Sequence, residues 1–91
     1  MITQLPIIHL NGTSANMLLE DYVTALASVR QARQDIGGIE FHSRDYYVKN
    51  GAWQVAREER NEMLKKLDEV EKDLENIATH INEFINEFIK R

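Results

Sequence analysis

Cysteine is missing from this chain altogether, which excludes disulfides and thiolate metal sites and fits a reducing cytosol. Proline occurs once, at Pro6. Basic residues are in deficit, with 11 Lys and Arg against 15 Asp and Glu and a formal net charge of -4. General DNA coating is therefore not expected, because it depends on clustered cations that release counterions. The apolar run in "MITQLPIIHLNG" is far shorter than a signal or membrane-spanning segment, and no basic leader precedes it. The expectation is a soluble, cytoplasmic protein with no membrane partner. The histidines His9, His42 and His80 are too scattered for a local ligand set, so no metal and no cofactor are expected. At 91 residues the chain is near the lower size at which one hydrophobic core holds a monomer together. A homo-oligomer is expected.

What is present is helical pattern. Residues 5–10, "LPIIHL", are apolar but contain Pro6, and read as an extended arm or edge strand over residues 1–13. From 14 to 36 the residues Ala15, Leu19, Tyr22, Leu26, Val29 and Ile36 step by three and four, flanked by Leu18, Ala25 and Ala32, with Arg33 breaking the stripe. This predicts an amphipathic helix about 33 Å long, ended by Gly37 and Gly38 in the left-handed conformation. Residues 37–51 have no helical period and form a loop. A long helix over 52–90 follows, entered through Asn50 and Gly51. Trp53, Arg60, Leu67, Leu74, Ile81 and Phe88 fall seven apart, with Ala56, Met63, Val70, Ile77 and Phe84 as companions. That spacing predicts a coiled-coil seam. The fold class is all-α: an antiparallel helical hairpin with a long C-terminal coiled-coil helix and an extended N-terminal arm. The helices differ in length, so the second is expected to overhang at its C-terminal end, leaving Phe84, Ile85, Phe88 and Ile89 bare for oligomerisation.

Three constellations could carry chemistry. In "HLNGTS", Thr13 or Ser14 can cap the first helix; alternatively His9, Asn11, Gly12, Thr13 and Ser14 form an anion site at a helix N-terminus, a weaker motif than a P-loop. In "RDYY", Arg44 can pair with Asp45 while Tyr46 and Tyr47 pack on the hairpin; alternatively Arg44 grips phosphate and the tyrosines stack on bases. In "GAWQVAREER", Trp53, Arg57 and Arg60 open the long helix. Arg33 and Arg60 stand where the seam calls for apolar side chains, which requires carboxylates or an anionic ligand. Glu40, Asp45, Glu58 and Glu59 are the carboxylates near enough in sequence. With Arg30 and Lys49, these residues make one end of an acidic protein basic and aromatic. No Ser-His-Asp arrangement, carboxylate pair or metal motif is recognisable, so no enzyme activity is expected.

The three motifs together resemble a group of small proteins encoded by tailed bacteriophages and prophages. Those carry a similar HLNGTS segment before a helix, then RDYY, then Trp-x-x-Ala-x-x-Glu-Arg, which here is Trp53, Ala56, Glu59 and Arg60. The resemblance spans residues 7–60 and implies no particular activity. The architecture, an arm and two helices forming an oligomer, is similar to phage counter-defence sponges that sequester cyclic dinucleotides or related immune signals in the host bacterial cytoplasm. Two functions are therefore expected as alternatives. One is a binding protein for a small anionic nucleotide, held by Arg44, Arg57 and Arg60, by Tyr46, Tyr47 and Trp53, and by Asn11 to Ser14. The other is a structural or protein-interaction adaptor, for phage assembly or host takeover, acting through the coiled coil.

Overall fold

The computed structural model describes the backbone of residues 2–8 and 12–90 and the side chains of residues 2–8 and 15–87. Two helices, α1 over Gly12–Gly37 and α2 over Ala52–Lys90, pack along one another. They run antiparallel: Arg33 reaches Asp68 while Arg30, one turn earlier in α1, reaches Glu75 further along α2. The result is a rod of 65 × 23 × 16 Å with a radius of gyration of 19.1 Å. A compact chain of this length would have a radius of gyration of about 12 Å. Two helices alone have no third layer under which to bury side chains, and the core is correspondingly thin. Ala15, Leu26 and Ile81 are the buried apolar residues among those described.

The seven-residue pattern of α2 is present, but the face turned to α1 is not the expected one. Met63 and Val70 are 51% and 44% exposed. At that level half-buried Leu64 and buried Glu71 are the companions of Arg60, Leu67 and Leu74, four residues on instead of three, whereas further along Ile77, Ala78, Phe84 and Ile85 are all half-buried around Ile81. Positions three and four apart lie on one face of a 3.6-residue helix on either side of any chosen row, and α1 sits on the later side. Met63 and Val70 therefore form a shoulder beside the hairpin contact, in a row whose other members, Ala56, Ile77 and Phe84, are half-buried.

Glu71 is a charged residue inside that contact, 8% exposed. Its Oε1 accepts a 2.7 Å hydrogen bond from Arg30 Nε. Its Oε2 lies 2.8 Å from Arg33 Nη1 without the alignment of a hydrogen bond. Arg30 also pairs with Glu75, and Arg33 with Asp68 at 3.2 Å. The hydrogen bond from Arg30 to Glu71 is the main reason its guanidinium is held above its ordinary pKa. The carboxylates that accommodate Arg33 are thus Asp68 and Glu71, not Glu40, Asp45, Glu58 or Glu59. A carboxylate removed from water is tolerable only with such partners.

The overhang is also at the other end. Ala15, in the first turns of α1, is 1% exposed and Ile81 is fully buried, so α1 begins well toward the C-terminal end of α2. The arm adds cover there: Pro6 O lies 3.0 Å from His80 Nε2, and Leu5, Pro6 and Ile8 are half-buried. Phe84 and Ile85 are half-buried rather than bare, and the side chains of Phe88 and Ile89 lie outside the described residues. It is the first turns of α2 that project beyond α1, and the loop folds back over them. No helix among the described residues is long and apolar enough to cross a membrane.

The glycines act differently from one another. α1 ends at Gly37, yet neither Gly37 nor Gly38 has a positive φ. The end is closed by Gly38 N donating to Gln34 O at 2.9 Å and Ile39 N to Ile36 O at 3.2 Å. Gly51 alone among the described residues takes the left-handed region, with φ of 81°, where it turns the chain into α2. No heavy atom lies within 4 Å of a Cβ built there, so the cost of a side chain is conformational. Gly51→Ala is expected to lower stability by about 1–2 kcal/mol. A urea titration followed by circular dichroism checks this; an unchanged midpoint would show that the turn relaxes freely.

Candidate functional site

The loop between the helices carries an aromatic cluster that replaces the missing third layer. Ser43–Asp45 form one turn of 3-10 helix, closed by Asp45 N donating to His42 O and Tyr46 N to Ser43 O. This turn brings Phe41 and Tyr46 over Trp53 in the first turn of α2. The Phe41 and Trp53 ring centroids are 4.5 Å apart, Phe41 and Tyr46 meet edge-on at 5.7 Å, and Tyr46 and Trp53 lie at 6.0 Å. Such contacts add to the apolar burial of each ring. Phe41, which the sequence reading did not single out, sits at the centre.

Arg60 closes the cluster. Its Nη2 donates to Gly37 O at 3.3 Å and approaches Ile36 O at 3.5 Å, and its guanidinium lies 5.3 Å from the centre of the Phe41 ring. The carbonyls at the end of α1 carry the negative end of the helix dipole, so an arginine there needs no carboxylate. Its seam position is explained by this contact, and Arg60 also lines the groove beside Phe41. Tyr46 and Trp53, expected as stacking platforms, are half-buried against each other and against Phe41. Tyr47 is 78% exposed and remains available.

The outer side of the cluster is a cleft of about 440 Å³ lined by Ser43, Arg44, Tyr46, Tyr47, Lys49, Asn50, Gly51 and Trp53. Its cations are Arg44 and Lys49, and no carboxylate lines it. Neither cation forms an ion pair with a described residue, including the expected Arg44–Asp45 pair. Arg57, one turn beyond Trp53, is exposed beside it. At the mouth of α2, Ala52 N donates to Lys49 O and Val55 N to Gly51 O. The amides of Trp53 and Gln54 have no acceptor among the described residues, which adds the positive end of a long helix to the cleft. The arrangement can hold an anion and offers one free ring face.

No family model, curated protein or solved structure matches the chain. The residues themselves must carry the functional argument. The structure brings together Arg44, Tyr46, Tyr47 and Trp53, places Arg57 next to them, and adds Ser43, Lys49 and Asn50. It does not bring HLNGTS to the same place. Gly12 and Gly37 are the two ends of α1, separated by about 38 Å at the helical rise. His9 and Asn11 lie outside the described residues, as do the side chains of Thr13 and Ser14. The backbone of Gly12, Thr13 and Ser14 is already helical, so Thr13 and Ser14 are first-turn residues and not the cap itself. Among the described residues no group of three or more His, Asp or Glu is placed to hold a metal ion.

Proposed function

We propose that the chain is a non-enzymatic binding protein that holds a phosphorylated nucleotide in the cleft at the loop end of the hairpin, in the manner of a phage counter-defence sponge for a cyclic nucleotide signal. The observation that carries this reading is a cleft with two unpaired cations and no carboxylate, in a protein of net charge -4. Arg44 presents a fork that matches phosphate oxygens, and Lys49 a point charge. Tyr47 offers its ring to a base. Tyr46 and Trp53 support the cleft from behind. Arg57 is placed to meet a second phosphate.

A protein-interaction adaptor is the second reading. It is favoured by the apolar shoulder of α2, where Met63 and Val70 stand exposed although they belong to a regular apolar row. Nucleotide released on heat denaturation of the protein purified from cells, identified by mass spectrometry, would support the sponge. Calorimetry against cyclic dinucleotides, cyclic trinucleotides and ADP-ribose derivatives extends the same test to ligand lost in purification. The expected result is binding with intact nucleotide recovered afterwards. No heat from any of them, with a protein recovered in a pull-down instead, would favour the adaptor, and consumption of a bound nucleotide would reveal an enzyme.

A further inference from the structure

The two sides of the hairpin are unlike. On one side, the seam is closed by Arg30 and Arg33 with Asp68, Glu71 and Glu75. On the other side, the row Ala56, Met63, Val70, Ile77 and Phe84 runs along α2 at seven-residue spacing. Toward the C-terminal end Ile77 and Phe84 are half-buried, in the region where His80 holds the arm. In the middle of α2 the row is open. There Met63 is 51% and Val70 44% exposed; toward the loop Ala56 is half-buried beside a groove of about 350 Å³ between α2 and the end of α1, walled by Ile36, Ile39, Phe41 and Met63 with Glu59 and Arg60 at its polar edge.

We propose that this open shoulder is the interface of a homodimer, in which two copies of α2 cross antiparallel about a two-fold axis at Met63. Area is the first argument. A folded monomer of 10.6 kDa exposes about 5,500 Å², whereas this chain exposes 7189 Å². The excess is ample for the roughly 800 Å² that each partner contributes to a standard interface. Period is the second. Met63 and Val70 lie seven apart and so share one face of α2, and the hairpin's own contact does not use them.

Fit and charge supply the orientation. With the axis at Met63, the two Met63 side chains meet, and Ala56 faces Val70 of the partner copy. The small side chain opposite the larger one keeps the layers even and leaves the groove beside Ala56 to be filled. The flanking row on the outer side holds Glu59 and Lys66, both exposed, and antiparallel crossing sets Glu59 of each copy against Lys66 of the other. A parallel pair would instead set Ala56 against Ala56 and Val70 against Val70, with uneven spacing. One more step of seven carries Ile77 of the partner copy past the start of α2 at Ala52, to the level of the loop. The C-terminal half of the partner's α2, with its arm, then passes beside the loop-end cleft. This interface is on a different part of α2 from the Phe84–Ile89 segment expected from the sequence.

Sedimentation velocity at micromolar concentration is expected to show a dimer. Met63→Glu should shift it to monomer, while Thr79→Glu, exposed on the far side of α2, should leave it dimeric; circular dichroism verifies that both remain helical. Should Met63→Glu unfold, the charge pair gives an independent reading. Glu59→Lys and Lys66→Glu should each weaken the dimer severalfold, and the double exchange should restore it. Because the chain has no cysteine, crosslinking is clean: Ala56→Cys mixed with Val70→Cys should form a mixed disulfide, and Ala56→Cys alone should not. A monomeric wild type, a dimer indifferent to both Met63→Glu and the charge exchange, or ready Ala56→Cys self-crosslinking would overturn the proposal.

Discussion

Replacing Ile81 with alanine is expected to lower the unfolding free energy by about 2–5 kcal/mol, enough to leave much of the protein unfolded at physiological temperature. Ile81 is the one large side chain with no accessible surface among the described residues. It stands in the part of α2 that α1 and the arm both cover, one residue after His80, which holds Pro6. A two-helix rod has few other sites from which to draw stability, since Ala15 and Leu26 are the other buried apolar residues among those described. At roughly 4–8 °C per kcal/mol for a domain of this size, the melting temperature should fall by at least about 10 °C. Met17→Ala, on an exposed position of α1, should change stability by about 0.5 kcal/mol or less. Thermal melts by circular dichroism compare the two. Equal, small effects would mean that the arm end of the hairpin contributes little, and that stability resides in the aromatic cluster at the other end.

The hairpin, its helix boundaries to within about two residues and the turn at Gly51 were legible from period and breakers alone. Which side of the seven-residue row would meet α1 was not. Leu64, Ala78 and Ile85 are as suitable for burial as Met63, Ile77 and Phe84, so apolar pattern leaves two adjacent faces open. Glu71 decides between them, and hydrophobicity counts against it; its burial depends on Arg30 and Arg33, residues of α1 that a reading of α2 alone does not include. The overhang was placed at the wrong end because comparing helix lengths presumes that both helices start level at the loop. A loop of this length can fold back over α2, and the Phe41, Tyr46 and Trp53 rings give it a reason to do so.

The site was legible in part for a related physical reason. Composition points to a basic and aromatic end, and Arg44, Tyr46, Tyr47, Lys49 and Trp53 line one cleft there, whereas Arg30 lies with Glu71 and Glu75 away from it. It could not separate side chains that build the end from those that face outward. Tyr46 and Tyr47 are neighbours in sequence but opposite in role, one half-buried against Trp53 and the other exposed, since a 3-10 turn ending at Asp45 points them different ways. Arg60 breaks the apolar seam, and sequence alone does not say what it meets there. The seam at that level is the end of α1, where carbonyl groups want a cation.

These different roles for the arginines give the second large effect. The double substitution Arg44→Ala with Lys49→Ala is expected to weaken binding of a phosphorylated nucleotide at least about a hundredfold, since each charged hydrogen bond contributes about 1.5–3 kcal/mol and each 1.4 kcal/mol is tenfold. Both side chains line the cleft and neither is tied to a described partner, so their removal should leave the melting temperature nearly unchanged. Arg60→Ala should behave in the opposite way. It strips the contact to Gly37 O and the cation above Phe41, and so should lower stability while Arg44 and Lys49 remain. Calorimetry and thermal melts on the same three proteins separate the cases. An affinity unaffected by the double substitution but abolished by Arg60→Ala, at a temperature where that variant is folded, would move the phosphate from the outer cleft to the inner groove beside Phe41. A loss shared equally by both variants would mean that the aromatic cluster and the cleft act as one unit, with Arg60 holding the loop in the shape that ligand requires.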